Sequence, residues 1–326
     1  MMMELMIPSH GAKSIEGTMM DQPSYALLQL IESRNRVRRE QIVSALSDFH
    51  PSTDDICICS FPKSGSTWLQ QICHALRVAA EAHEESDIGE EIPFLDLVWL
   101  TRQDLSFRGA PPPRLFKSHL PWEDVPKGMR YVYCIRDPLD VVVSYYNFQN
   151  GDLFETDTIG INEYAAHCFL ENPGVWGTYW SHVRGWWKIR HRPDVLFLSY
   201  ESLTRDLMGL IRRIARFMHL PPDELRDARA CLASSKHAML EQSDRRFGGN
   251  PAMVAALGQA MARPNLQVRS IVRPDGKGIR RAALSDATLE LLQRMWEREL
   301  AGPLDLPSYG ALLSALADAL PRAEDP

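Results

Sequence analysis

The chain has 326 residues, 45% of them hydrophobic, which allows a sizeable core in one large or two small domains. Its 36 basic residues against 42 acidic ones leave a net charge of −6, which argues against a general nucleic-acid binder, because such a protein needs a basic face to neutralise phosphates. No segment reaches the roughly 18 uninterrupted apolar residues of a membrane span and no basic-then-apolar leader opens the chain, so no membrane partner is expected and a cytoplasmic location follows by default.

Residues 1–50 read as an N-terminal extension, flexible at first and then helical, and residues 51–326 as a single domain. Ile56 to Phe61 is an apolar run ended by proline and glycine, and reads as a buried strand. Trp68, Leu69, Ile72, Cys73 and Leu76 follow at helical spacing. Arg114 to Lys117 is a shorter strand after three prolines and just before His119. Tyr131 to Ile135 is the next strand, after which Asp137 supplies an N-cap and Pro138 a first-turn proline for a helix through Val141 to Phe148.

Val195 to Tyr200 repeats that grammar, with Leu207, Leu210, Ile211, Ile214 and Phe217 along one face of the following helix. The stretch near 245–277 carries Gly248-Gly249, Pro251, Pro264 and Pro274 and reads as a long loop of the kind that serves function. Ser285 is placed to cap a helix reaching Leu300, with Leu284 and Leu289 at staple spacing. The six cysteines, at 57, 59, 73, 134, 168 and 231, lack CxxC spacing and are expected as reduced core residues. Strands alternating with helices predict an α/β fold: a central parallel sheet with helices on both faces, with ligands bound beyond the carboxyl ends of its strands.

The stretch SFPKSGSTW at 60–68 lies where the first strand passes into a helix. Amides at a helix N-terminus lack intrahelical acceptors, and the dipole there is positive. Gly65 lets the backbone approach a ligand, while Lys63, Ser64, Ser66 and Thr67 add a cation and hydroxyl donors, so the turn is suited to cradle phosphate or sulfate. It is P-loop-like without being a nucleoside-triphosphate P-loop, because the lysine precedes the glycine and no glycine stands at the required place upstream. An ordinary polar turn capping a helix is the competing account of the stretch taken alone.

Four segments in order decide between them. PKSGSTW resembles the 5'-phosphosulfate-binding strand-loop-helix of soluble, cytosolic-type sulfotransferases that use 3'-phosphoadenosine 5'-phosphosulfate (PAPS), and FKSHLP at 116–121, YCIRDPLDVVVSYYNF at 133–148, and GTYWSHVRGWW at 177–187 with LFLSYESLTRD at 196–206 are similar in the same order. The likeness covers residues 55 to 220 and thins beyond them.

The resemblance implies a sulfotransferase that moves a sulfuryl group from PAPS to a hydroxyl, or an amine, of a small hydrophobic acceptor, releasing 3',5'-diphosphoadenosine (PAP) and requiring no metal. His119 matches the family's catalytic base, and an imidazole titrating near neutrality suits removal of the acceptor proton during in-line displacement. Lys63, and by resemblance Lys117, stabilise charge on the leaving phosphate, and Ser144 completes the implied catalytic set. Arg136 and Ser144 match the pair that holds the 3'-phosphate; an ion pair of Arg136 with Asp137 or Asp140 is the plainer alternative.

Lys63, Ser64, Gly65, Ser66 and Thr67 are implied to hold the phosphosulfate, and Trp68, Tyr200 and Ser234 the adenine, with core packing the alternative for both rings. Arg273, Lys277 and Gly278 are carried over from the family's C-terminal 3'-phosphate segment, which VRPDGKGIRRAAL matches only in part, lacking its tryptophan. Phe61, His119 and Phe148 are assigned to the acceptor pocket. No dimer segment follows, so a homodimer is not derivable. A nucleotide-dependent kinase and a noncatalytic PAP-binding protein on the same fold remain the competing functions.

Overall fold

The computed structural model describes residues 38–78, 88–106, 112–149, 159–170, 174–241 and 280–318. Four parallel strands, β1 (Ile56–Ser60), β2 (Leu115–Ser118), β3 (Arg130–Ile135) and β4 (Val195–Ser199), make a sheet in the order β2-β1-β3-β4. In register, Cys59 pairs with Ser118 on one side and Tyr133 on the other, so the carboxyl ends of β1, β2 and β3 finish side by side.

Alternation along each strand divides the core into two. Cys57, Cys59, Phe116, Tyr131, Tyr133 and Phe197 face one apolar cluster, whereas Ile56, Ile58, Leu115, Val132, Cys134 and Leu198 face the other. Both sides being covered is why these strands read as unbroken apolar runs. Helix α1 (Ser66–Val78) covers the second face through Leu69, Ile72 and Leu76, joined by α4 (Leu207–Phe217) through Leu210, Ile211 and Ile214. Helix α2 (Pro138–Gln149) covers the first through Val141, Val142 and Tyr146, and α3 (Tyr179–Lys188) through Tyr179, Trp180, Val183 and Trp186.

Local chemistry sets the boundaries. Asp137 accepts the Leu139 N–H at 2.8 Å and caps α2, with Pro138 at its first position. Tyr200 is not the end of β4: the Ser199 side chain accepts from the Ser202 N–H and turns the chain into a short helix, Tyr200–Arg205. Helix α5 (Glu224–Ala233) lies against α1. Ser285 caps α6 (Asp286–Trp296) as its spacing predicts, and a wider turn, Glu297–Ala301, carries the helix on with Leu300 buried. At this cap Leu284 is buried but Leu289 is 37% exposed; the entry is held by Asn162, whose side chain accepts from the Ser285 N–H and the Thr288 hydroxyl.

Residues 38–45 are helical and place Ile42 in the core, with Arg39 paired to Asp124. Cys57, Cys59, Cys73 and Cys134 are buried free thiols. The long loop expected near 245–277 lies outside the described residues.

Candidate active site

The turn after β1 depends on two left-handed residues, Lys63 at φ 67° and Gly65 at φ 111°. A Cβ on Gly65 would stand 3.0 Å from the Tyr200 ring and 3.2 Å from the Cys134 sulfur, so the backbone conformation and its neighbours both require glycine there. The Ser64 N–H closes the turn on the Phe61 carbonyl at 3.2 Å, and α1 opens at Ser66, where the first amides of a helix have no intrahelical acceptor.

Arg136 reaches this mouth from the end of β3. Its Nη1 donates to the Lys63 carbonyl at 3.3 Å, its guanidinium lies 4.2 Å over the Tyr200 ring, and its Nε stands 3.8 Å from Asp140. On α2, Asp140, Ser144 and Phe148 follow at four-residue intervals along one face. Asp140 meets Arg136 at one end of that row and Phe148 meets the Lys63 ammonium at 4.4 Å at the other, which places the half-buried Ser144 between two contacts of the same mouth.

Behind α1, Trp68 Nε1 donates to the Ser234 carbonyl at 2.8 Å, Gln71 donates to the Ala233 carbonyl, and the Trp68 ring stands edge-on to Tyr200 at 5.7 Å. The hydroxyls of Ser64 and Ser234 are buried and make no hydrogen bond among the described residues.

His119 follows β2 directly. Its Nδ1 lies 2.7 Å from the Ser60 carbonyl, and a carbonyl can only accept, so Nδ1 carries the proton and Nε2 keeps its lone pair. Burial, and next the Lys117 charge, hold its pKa well below the ordinary histidine value, so the ring is neutral. Phe94 and Trp176 stand edge-on to the imidazole at 5.2 and 5.6 Å. His182 donates from Nε2 to the His119 carbonyl at 3.1 Å and, neutral because burial pushes it down to about 3, accepts from the Tyr133 hydroxyl at 3.0 Å.

A carboxylate, Asp96, sits at the centre of this side of the site. Its Oδ1 accepts from the Ser118 hydroxyl at 2.7 Å, and its Oδ2 accepts from the His119 N–H at 2.9 Å and from Trp176 Nε1 at 2.5 Å. Burial pushes it up to about 6 against those hydrogen bonds. Burial also pushes Lys117 down to about 8, opposed by Asp96, and the Lys117 ammonium lies 4.5 Å over the Phe94 ring.

The family model for the sulfotransferase domain matches residues 53–243, more than half of the chain. The chain belongs to the sulfotransferase family. Sulfotransferase 1C2 of Homo sapiens is 31% identical over 192 residues, 56% of this chain and 64% of that protein, and the amine sulfotransferase of Oryctolagus cuniculus is 31% identical over 185 residues, 55% and 60% respectively. The matched stretch therefore spans under two thirds of these relatives' length.

Among solved structures, retinol dehydratase in complex with retinol and PAP superposes with a TM-score of 0.62 at 20% identity, covering 81% of this chain and 86% of that one. Mouse sulfotransferase SULT7A1 complexed with PAP gives 0.57 at 19% identity, covering 89% and 96%. At these identities the likeness is one of fold.

Of the residues the sequence singled out in this sulfotransferase chain, Lys63, Ser64, Gly65, Ser66, Thr67, Trp68, Arg136, Ser144, Phe148, Tyr200 and Ser234 gather around one mouth, with Lys117 and His119 on the neighbouring strand. Phe61 is 5% exposed and enclosed by Tyr145, Phe169, Tyr179 and His182, which makes it the floor under the turn. Arg273, Lys277 and Gly278 lie outside the described residues.

Sequence reasoning passed over Asp96, Trp176 and Phe94. A lone acid inside the apolar run IPFLDLVWL was the available signal, since a buried carboxylate needs donors around it. The Arg281 guanidinium, far along the chain from its partners, pairs with Asp137 at 3.0 Å and with Asp140 at 2.5 Å.

Proposed function

We propose that this chain transfers a sulfuryl group from PAPS to a hydroxyl, or an amine, of a small hydrophobic acceptor and releases PAP. The observation that carries the reading is the adjacency of base and cradle: the His119 imidazole is tied to Ser60, the last residue of β1, and the phosphate-type turn begins one residue later. A single bound molecule can therefore meet both.

The residues present fit such a donor. The glycine that brings the backbone close, the two buried serine hydroxyls with no partner among the described residues and the Arg136 fork are the groups a phosphorylated adenosine needs. Lys63, Ser66, Thr67 and the first amides of α1 would hold the phosphosulfate, Arg136 and Ser144 the 3'-phosphate, and Trp68, Tyr200 and Ser234 the adenine end. PAPS, when bound, supplies an activated sulfuryl group on a good leaving phosphate.

His119 Nε2 then takes the proton of the acceptor oxygen as that oxygen attacks, a task open to it because the ring is neutral and Nδ1 is occupied. Lys63 and Lys117 offset the charge that gathers on the leaving phosphate. Phe94, Trp176 and Phe148 give the acceptor side an apolar lining. Retinol, androsterone and amines appear with relatives of this fold and family, in keeping with a hydrophobic acceptor. Incubation of the protein with 35S-labelled PAPS and a panel of phenols, aliphatic alcohols and amines tests the reading; no labelled product from any acceptor, together with no PAP binding by calorimetry, overturns it.

A further inference from the structure

We propose that Asp96 is the positioning residue of the acceptor side, a buried carboxylate that locks the base-bearing segment to the Trp176 wall and serves as counter-ion to Lys117. This rests on the reading of His119 as base and goes beyond it, to a carboxylate to which that reading gives no part.

Three donors from two separated segments converge on this one side chain, which is fully buried: the Ser118 hydroxyl, the His119 backbone N–H and the Trp176 indole N–H. The Ser118 hydroxyl in turn accepts from the Leu120 N–H at 3.0 Å, so residues 118–120 are held to Asp96 as a unit. With the His119 ring fixed at Nδ1 by Ser60 and its backbone fixed by Asp96, the direction of Nε2 is determined from both ends. A carboxylate suits this place because every polar partner is a donor, and a base misplaced by about 1 Å can lose about 100-fold in rate.

The charge has its own use. Lys117 pairs with Phe94, two residues before Asp96, with its ammonium over that ring, and has Asp96 as the anion that opposes its burial; among the described residues the Cys59 thiol on β1 also feels the carboxylate. His119 feels Lys117, His182 and Lys63. Asp96 thus favours the charged form of a half-buried ammonium beside the reacting centre.

Asp96→Asn retains the shape and removes the charge. In protein labelled with 13C,15N-lysine and free of ligand, with the Lys117 signal assigned by its loss in Lys117→Arg, the Lys117 titration midpoint moves to lower pH in Asp96→Asn. With PAPS and 2-naphthol, kcat falls about 10-fold or more while PAP affinity by calorimetry stays within about twofold. Trp176→Phe, which removes one donor and leaves the charge, lowers kcat less and leaves the Lys117 midpoint in place. An unmoved Lys117 midpoint, or a loss of kcat matched by unfolding or by an equal loss of PAP affinity, overturns the proposal. The titration needs no turnover, so it is read separately from the base assignment, which fails instead if His119→Ala keeps normal activity.

Discussion

The ring of His119 donates through Nδ1 to the carbonyl of Ser60, 2.7 Å away on the neighbouring strand, and so presents Nε2 as its basic nitrogen. The parallel register of β1 and β2 makes this contact available: Cys59 pairs with Ser118, and the next residue of each strand meets across the end of the ladder. His119→Ala should lower kcat by at least about 100-fold while leaving PAP affinity unchanged, measured by steady-state kinetics and calorimetry. Normal turnover in this variant means another group takes the proton.

Arg136→Ala should weaken PAP by about 1.5 to 3 kcal/mol, the usual loss for one charged hydrogen-bond partner of a phosphate. The same change removes the hydrogen bond to the Lys63 carbonyl and the cation over the Tyr200 ring. Calorimetric titration with PAP, set beside adenosine 5'-phosphate, checks it: the loss should be confined to the ligand with a 3'-phosphate, and an equal loss for both ligands contradicts the assignment.

Gly65→Ala should cost about 1 kcal/mol or more of folding free energy, because Ala at positive φ is strained and its methyl would crowd Tyr200 and Cys134. Thermal melts of variant and parent provide the measurement. A melting temperature equal to the parent's would show that the turn relaxes freely.

The pH dependence of kcat/KM should be bell-shaped, rising through about 6 and falling through about 8. Below the lower value Asp96 takes a proton, so it neither accepts from all three donors nor balances Lys117; above the upper value Lys117 loses its charge. His119, held well below its ordinary value, is already a neutral base throughout. Rate measurements from pH 5 to 9 check this, and an acid limb that persists unchanged in Asp96→Asn would remove Asp96 as its source.

Most of the fold was readable because buried parallel strands leave apolar runs and amphipathic helices leave a 3.6-residue stripe. The runs at 56–61, 131–135 and 195–200 and the cap at Asp137 lie where those patterns predict. Their ends were less readable: Tyr200 is apolar enough to extend β4, yet the Ser199 cap draws it into a helix. Ser144 and Arg136 could be named from the order of motifs, but that they flank one mouth follows from contacts with Asp140, Lys63 and Phe148 made on other elements.

By itself the sequence determined what local chemistry controls: the parallel α/β layering, the glycine-dependent turn after the first strand, and the presence of a lysine, an arginine and a histidine at strand ends. Only the tertiary structure decided which nitrogen of His119 is basic, that Arg281 clamps the start of α2, and that Asp96 joins Ser118 to Trp176. Those are meetings between residues up to 144 positions apart in the chain, as for Asp137 and Arg281. Sequence periodicity records which face of an element is buried, and carries no record of which distant donor a buried carboxylate will meet.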